Sequence, residues 1–140
     1  MSLRGACSCK NFEVRWHTVD FSISPRACQC DYCISKGLAY VSKSGTSVEV
    51  IVHDQRGHAL VRHGSGRATF HECDYCGDTV LVTVNIDDDL YGALNANCLV
   101  NPHGFAAARP MQFEYQTLEQ KLSRWQQNWC CPVKFSSTLK

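Results

Sequence analysis

Seven cysteines packed into three short knots constrain this chain more than any other feature. Cys7 and Cys9 form C-x-C, Cys28, Cys30 and Cys33 form C-x-C-x-x-C, and Cys73 and Cys76 form C-x-x-C followed by Gly77. Sulfurs two or three residues apart on a tight turn can meet at one ion, and in a reducing compartment clustered thiols hold metal more often than they form disulfides. A redox dithiol is the other common use of C-x-x-C, but it wants the start of a helix in a βαβ context. The surroundings of Cys73 and Cys76 instead read as strands, and Gly77 supplies the positive φ that closes a zinc-knuckle turn. Zinc is therefore the expected cofactor.

Closed structural zinc sites take four ligands, and sites that do chemistry keep a position open. Seven clustered thiols divide naturally as four plus three. The pairs Cys7/Cys9 and Cys73/Cys76 make one four-thiolate staple between distant segments, and the triple Cys28, Cys30 and Cys33 is left with an open position. Spacing alone does not make this division unique, since Cys7 and Cys9 can equally be grouped with part of the triple. Three of the ten cysteines stand apart. Cys98 reads as a small buried apolar residue, or else as a further ligand of the second site. Cys130 and Cys131 read as incidental, near a mobile tail.

Alternation dominates the rest. Phe12, Val14 and Trp16 share a strand face, as do Val48, Val50 and Val52, and as do Val80, Val82, Val84 and Ile86. Short strands are expected at 59–63 and 67–71 around the turn Gly64-Ser65-Gly66, and another through Met111, Phe113 and Tyr115. Asp87-Asp88-Asp89 and Asn101-Pro102-His103-Gly104 are loop signals. A single helix is expected, opened by a Thr117/Gln120 capping box and carrying Leu118, Leu122, Trp125 and Trp129 at helical spacing, with Pro132 beyond it. The fold class is thus mainly β, one domain over residues 1–140 with one C-terminal helix. With 14 basic and 13 acidic residues the net charge is +1, which offers no electrostatic footprint for nucleic acid or an anionic membrane. No apolar run reaches membrane-spanning length and no signal-peptide core opens the chain, so a cytoplasmic location is expected.

The three clusters, in this order, resemble the glutathione-dependent formaldehyde-activating enzyme family, whose domain also occurs in centromere protein V. The matching stretches are Gly5-Ala6-Cys7-Ser8-Cys9-Lys10, Ala27-Cys28-Gln29-Cys30-Asp31-Tyr32-Cys33 and Glu72-Cys73-Asp74-Tyr75-Cys76-Gly77, and the likeness runs from about residue 5 to Trp125. It implies a β-tent of short antiparallel sheets stapled by zinc. It further implies a structural zinc on Cys7, Cys9, Cys73 and Cys76, and a second, catalytic zinc on Cys28, Cys30 and Cys33. The implied activity is that of a carbon–sulfur lyase acting on a thiol, such as glutathione, and an aldehyde, such as formaldehyde. Two positions depart from the family pattern. Lys10 stands where glycine is expected, so that the turn is expected to close through a left-handed Asn11, and Glu72 replaces an aromatic residue.

A three-thiolate site suits such chemistry. Only a thiolate attacks a carbonyl well, and a free thiol is mostly protonated at pH 7. The competing class is a non-catalytic zinc-binding interaction module with two structural sites. Either is compatible with an oligomer. Among the histidines, His71 and His103 are candidate proton shuttles. Arg109 is a candidate partner for a substrate carboxylate, and the Asp87-Asp88-Asp89 run reads as a solvated turn.

Overall fold

A computed structural model describes residues 3–18, 24–28, 31–62, 68–100, 109–111 and 117–137, with backbone alone at 28, 31, 32, 110 and 111. In chain order the strands are β1 (Leu3–Ala6), β2 (Phe12–His17), β3 (Arg26–Cys28), β4 (Tyr40–Val41), β5 (Ser47–Val52) and β6 (His58–Val61). They continue as β7 (Thr69–Cys73), β8 (Thr79–Ile86), β9 (Asp89–Asn95), β10 (Leu99–Val100), β11 (Arg109–Met111) and β12 (Val133–Ser136). Helix α1 spans Asp31–Lys36 and α2 spans Leu118–Asn128. The strands form a five-stranded sheet, ordered β10-β1-β2-β5-β12, and a seven-stranded sheet, ordered β11-β3-β4-β9-β8-β7-β6. Among the described strand pairs only β12/β5 and β11/β3 are parallel; the mainly-β architecture expected from alternation is what forms.

The alternation has a physical target. In β2 and β5 the inward residues Phe12, Val14, Trp16, Val48, Val50 and Val52 are buried, and they pack with Val41, Val80, Leu81 and Leu94 of the other sheet. The seven-stranded sheet carries a second core on its opposite face, where Tyr40, Phe70, Val82, Val84 and Ala93 meet Trp125 and Trp129. That sheet is therefore the middle layer, and β8 is buried continuously from Thr79 to Val84, as a strand covered on both faces must be. Its alternating valines do not all share one environment: Val80 belongs to the first core, Val82 and Val84 to the second.

The loop at 87–89 is a tight hairpin. Ile86 pairs with Asp89, and Asp87 and Asp88 take φ of 52° and 70°, the two left-handed residues that a type I′ turn requires. Helix α2 opens with the expected capping box: Gln120 N donates to Thr117 Oγ1 at 3.1 Å and Thr117 N to Gln120 Oε1 at 2.9 Å. Its apolar stripe buries Trp125 and Trp129, while Leu118 is exposed.

Several expectations need correction. The strands expected at 59–63 and 67–71 are His58–Val61 and Thr69–Cys73; residues 63–67, 101–108 and 112–116 lie outside the described residues. A second helix, α1, forms, its six residues too few for periodicity to show. The tail after α2 is no loose end. Cys130 exchanges backbone hydrogen bonds with Gly92 at 2.9 and 2.8 Å, and β12 then extends the five-stranded sheet beside β5, with Val133 opposite Val48. No described helix is long and apolar enough to cross a membrane.

Burial predicts a contrast within the apolar set. Leu81→Ala, at 0% exposure, is expected to cost about 2–5 kcal/mol; Leu118→Ala, at the exposed start of α2, is expected to stay within about 0.5 kcal/mol of wild type. Denaturant unfolding of the two variants checks this.

Candidate metal centre

Two turns bring four thiols together. The first joins β1 to β2: Lys10 N donates to Cys7 O at 3.0 Å and Cys7 N to Phe12 O at 3.1 Å. The second joins β7 to β8: Gly77 N donates to Cys73 O at 2.7 Å and Cys73 N to Asp78 O at 2.8 Å. In both, the carbonyl of the leading cysteine is capped by the residue just after the second. Gly77 has the expected positive φ of 79°. In the first turn Lys10 itself takes φ of 66°, so the left-handed residue is Lys10 and not Asn11.

Asn11 has another task. Its side chain is buried, donates from Nδ2 to Asp54 O at 3.0 Å and accepts from Asp54 N at 2.8 Å. Asp54 in turn accepts from Arg56 and, at 2.8 Å, from Tyr75 Oη between the second pair of cysteines. Arg56 first, and then Tyr75, hold the Asp54 carboxyl well below the usual carboxylate range. A more direct clasp joins the two turns: Ser8 donates from its backbone N and its Oγ to Asp78 Oδ2, at 2.7 and 2.6 Å. A β-bulge at His71/Glu72 precedes Cys73. On the other side, β1 runs so close to the chain at 98 that a Cβ on Gly5 would lie 2.2 Å from Cys98 O.

The outcome is one group, Cys7, Cys9, Cys73 and Cys76, with all four sulfurs within 4.8 Å of one another, a set able to hold a metal ion. Cys7 and Cys9 Sγ are 3.7 Å apart, and Cys9 and Cys73 Sγ 3.5 Å. These separations exceed a disulfide's roughly 2.05 Å by far, and all four cysteines are free thiols. Cys7 and Cys73 are buried, Cys76 is half-buried and Cys9 faces solvent. Burial raises the Cys7 thiol and pushes Cys73 up to about 12, whereas the Asn11 backbone N–H lowers Cys9. With no cation present, the buried thiols keep their protons at pH 7. A metal must displace them, so its apparent affinity falls as pH falls.

The second cluster is only partly on view. Cys28 ends β3, and its side chain and the whole of Cys30 lie outside the described residues. Cys33 is buried in α1, in the second core, with its Sγ 3.7 Å from Tyr40 Oη. Lys36, one turn further on, ties α1 to the first cluster: its Nζ is 3.1 Å from Glu72 Oε2 and donates to Gly77 O at 3.3 Å. The remaining cysteines stay outside the four-thiol group. Cys98 is a buried thiol directed at Thr79 O, 3.7 Å away, and burial pushes it up to about 12. Cys130, fully buried, accepts from Thr46 Oγ1 at 3.4 Å.

His103 lies outside the described residues. His71 is buried between His58 Nε2, at 2.8 Å, and Thr83 Oγ1, at 2.7 Å. Burial, helped by His58, pulls it down to about 3, so it is neutral at pH 7 and ties β6, β7 and β8 together. The supporting residues Ser8, Asp78, Asn11 and Asp54 escaped sequence reasoning because ordinary polar residues acquire these roles only when distant turns meet.

No protein-family model and no curated protein matches the chain. A crystal structure of a Rhodobacter sphaeroides protein, a Northeast Structural Genomics target, matches it with a TM-score of 0.57 at 20% identity, over 76% of this chain and 99% of that one. At that identity the likeness shows the fold alone.

The left-handed Lys10 makes a prediction. A residue with a Cβ loses about 1–2 kcal/mol in this conformation, partly offset by glycine's greater freedom when unfolded. Lys10→Gly is expected to stabilise the protein by about 0.5–1 kcal/mol with metal content unchanged, as read by denaturant midpoint and metal analysis.

Proposed function

We propose that the chain is a zinc-dependent carbon–sulfur lyase of the glutathione-dependent formaldehyde-activating type, joining a small thiol to an aldehyde and splitting the adduct in reverse. The observation that supports this reading is the meeting of Cys7, Cys9, Cys73 and Cys76 at one point, the grouping that the resemblance implies for the structural zinc. Zinc held tetrahedrally at about 2.3 Å from four thiolates spaces the sulfurs about 3.8 Å apart, close to the 3.7 and 3.5 Å found. An all-thiolate donor set favours zinc over hard cations. Four protein ligands leave no position for substrate, so this zinc is structural. Because it uses both cysteine pairs, it leaves Cys28, Cys30 and Cys33 as a separate three-thiol set for a second zinc with an open position.

At that second site bound zinc would supply acidity, making a substrate thiol a thiolate at pH 7. In the condensation the thiolate lone pair forms the bond to the aldehyde carbon, the carbonyl π pair moves to oxygen, and a proton taken up there completes the hemithioacetal. The reverse reaction breaks the same carbon–sulfur bond. The chain's own contribution is to hold and orient. Cys33 is fixed in α1 under the second core, and Tyr40 Oη beside its sulfur constrains where that thiol lies. Glutathione and formaldehyde are the substrate pair that the resemblance to the formaldehyde-activating family implies.

Zinc analysis joined to an activity assay separates this reading from a non-catalytic module. The wild type is expected to carry two zinc ions per chain and to accelerate thiol–aldehyde condensation. Cys30→Ser is expected to remain folded, keep one zinc and lose the acceleration. Undiminished activity in Cys30→Ser would end the proposal.

A further inference from the structure

Among the described residues, Arg26 carries a charge with no carboxylate counter-ion. It lies in β3, partly buried, and among the described residues its side chain donates to Ser42 Oγ and pairs with no carboxylate. Burial draws its pKa below the ordinary arginine value, with nearby Cys130 acting in the opposite sense. A guanidinium has five N–H donors in a planar fork, and withdrawing one from water without an anion is costly.

Its neighbour sharpens the problem. In the parallel pair β11/β3, Arg109 stands opposite Arg26, about 4.8 Å away across the strands. Like charges directly opposite destabilise a sheet. Arg109 is exposed, and it too has no carboxylate partner among the described residues. On the inner side, Arg26 stands opposite Tyr40 in the antiparallel pair β3/β4. Partners in register present their side chains to one face. A row therefore crosses this face from exposed Arg109 through Arg26 to buried Tyr40, whose hydroxyl is 3.7 Å from Cys33 Sγ. Neither cation has a carboxylate partner among the described residues, and across the strands Arg26 lies about 5 Å and Arg109 about 10 Å from Tyr40.

We propose that Arg26 and Arg109 form a carboxylate-binding site that selects small carboxylate-bearing thiols and lays them along this row, with the acid on the guanidinium pair and the sulfur towards Cys33. The sulfur end rests on the reading of Cys28, Cys30 and Cys33 as a second metal site; the acid end rests on the arginine pair alone. The forks bind a carboxylate through parallel N–H···O bonds, and the anion removes the repulsion between them. A neutral thiol of the same length leaves both cations uncompensated.

The test uses the full chain loaded with cobalt(II) in place of zinc, titrated with 3-mercaptopropionate, with its methyl ester, and with succinate, which has no thiol. Sulfur–cobalt absorption reports the sulfur end, and the arginine Nε–Hε NMR signals report the acid end. The acid is expected to bind at least about tenfold more tightly than the ester, and succinate to shift the Arg26 and Arg109 signals saturably. Arg26→Gln and Arg109→Gln are expected to remove most of the preference; Arg109→Gln, on an exposed strand, keeps the test available if Arg26→Gln does not fold. Equal affinity for acid and ester, or a preference that survives in Arg109→Gln and in any folded Arg26→Gln, overturns the proposal. The two readings fail separately. Saturable succinate shifts with no cobalt response to either thiol sustain the carboxylate site and sink the second metal site, and an equal cobalt response to acid and ester with no succinate shift does the reverse.

Discussion

Four sulfurs from two turns, drawn to within one ion's reach, are the constraint around which this molecule is arranged. The turns belong to different sheets: Cys7 and Cys9 follow β1 of the five-stranded sheet, and Cys73 ends β7 of the seven-stranded one, with Cys76 in the turn to β8. An ion held there pins the two sheets at one end, while the core of Phe12, Trp16, Val50, Leu81 and Leu94 fills the space between them. In the metal-free chain buried thiols must stay protonated, so metal binding, proton release and closure of this end of the fold are thermodynamically one event. The polar clasps, Ser8 to Asp78 and Asn11 to Asp54, hold the turns in mutual register.

The layering places Cys33 in a different environment. Cys33 lies in the core on the far face of the seven-stranded sheet, with Tyr40, Phe70, Trp125 and Trp129. Near it lie the short helix α1, the edge strand β11 and its neighbour β3, which carry Arg109 and Arg26. The four-thiol group thus lies where the two sheets meet, while Cys33 lies apart from it in the other core.

Much of this was legible in the residues. The hydrophobic alternation of β2 and β5, the Thr117/Gln120 capping box and the glycine after Cys76 each encode local geometry, and local geometry is what a sequence states directly. What was hidden depended on distant partners. Spacing could not decide which sulfurs group together, because the choice is made by the hairpins β1/β2 and β7/β8 and by the packing of the two sheets that carry them. Lys10 adopts the conformation normally left to glycine because its N–H caps Cys7 and Asn11 is committed to Asp54, 43 residues away. Helix α1 is too short to announce itself. The tail after α2 read as loose because β12 joins β5 in parallel across more than 80 residues, and the Arg26–Arg109 pair arises only through another such parallel pairing.

Cadmium-113 NMR of the cadmium-loaded protein, with cadmium–proton couplings to identify the ligands, tests the four-sulfur grouping. A resonance in the four-thiolate region is expected, coupled to the β protons of Cys7, Cys9, Cys73 and Cys76 together. Couplings that spread those four residues over different ions, or that bring Cys28, Cys30 or Cys33 into their set, would contradict it.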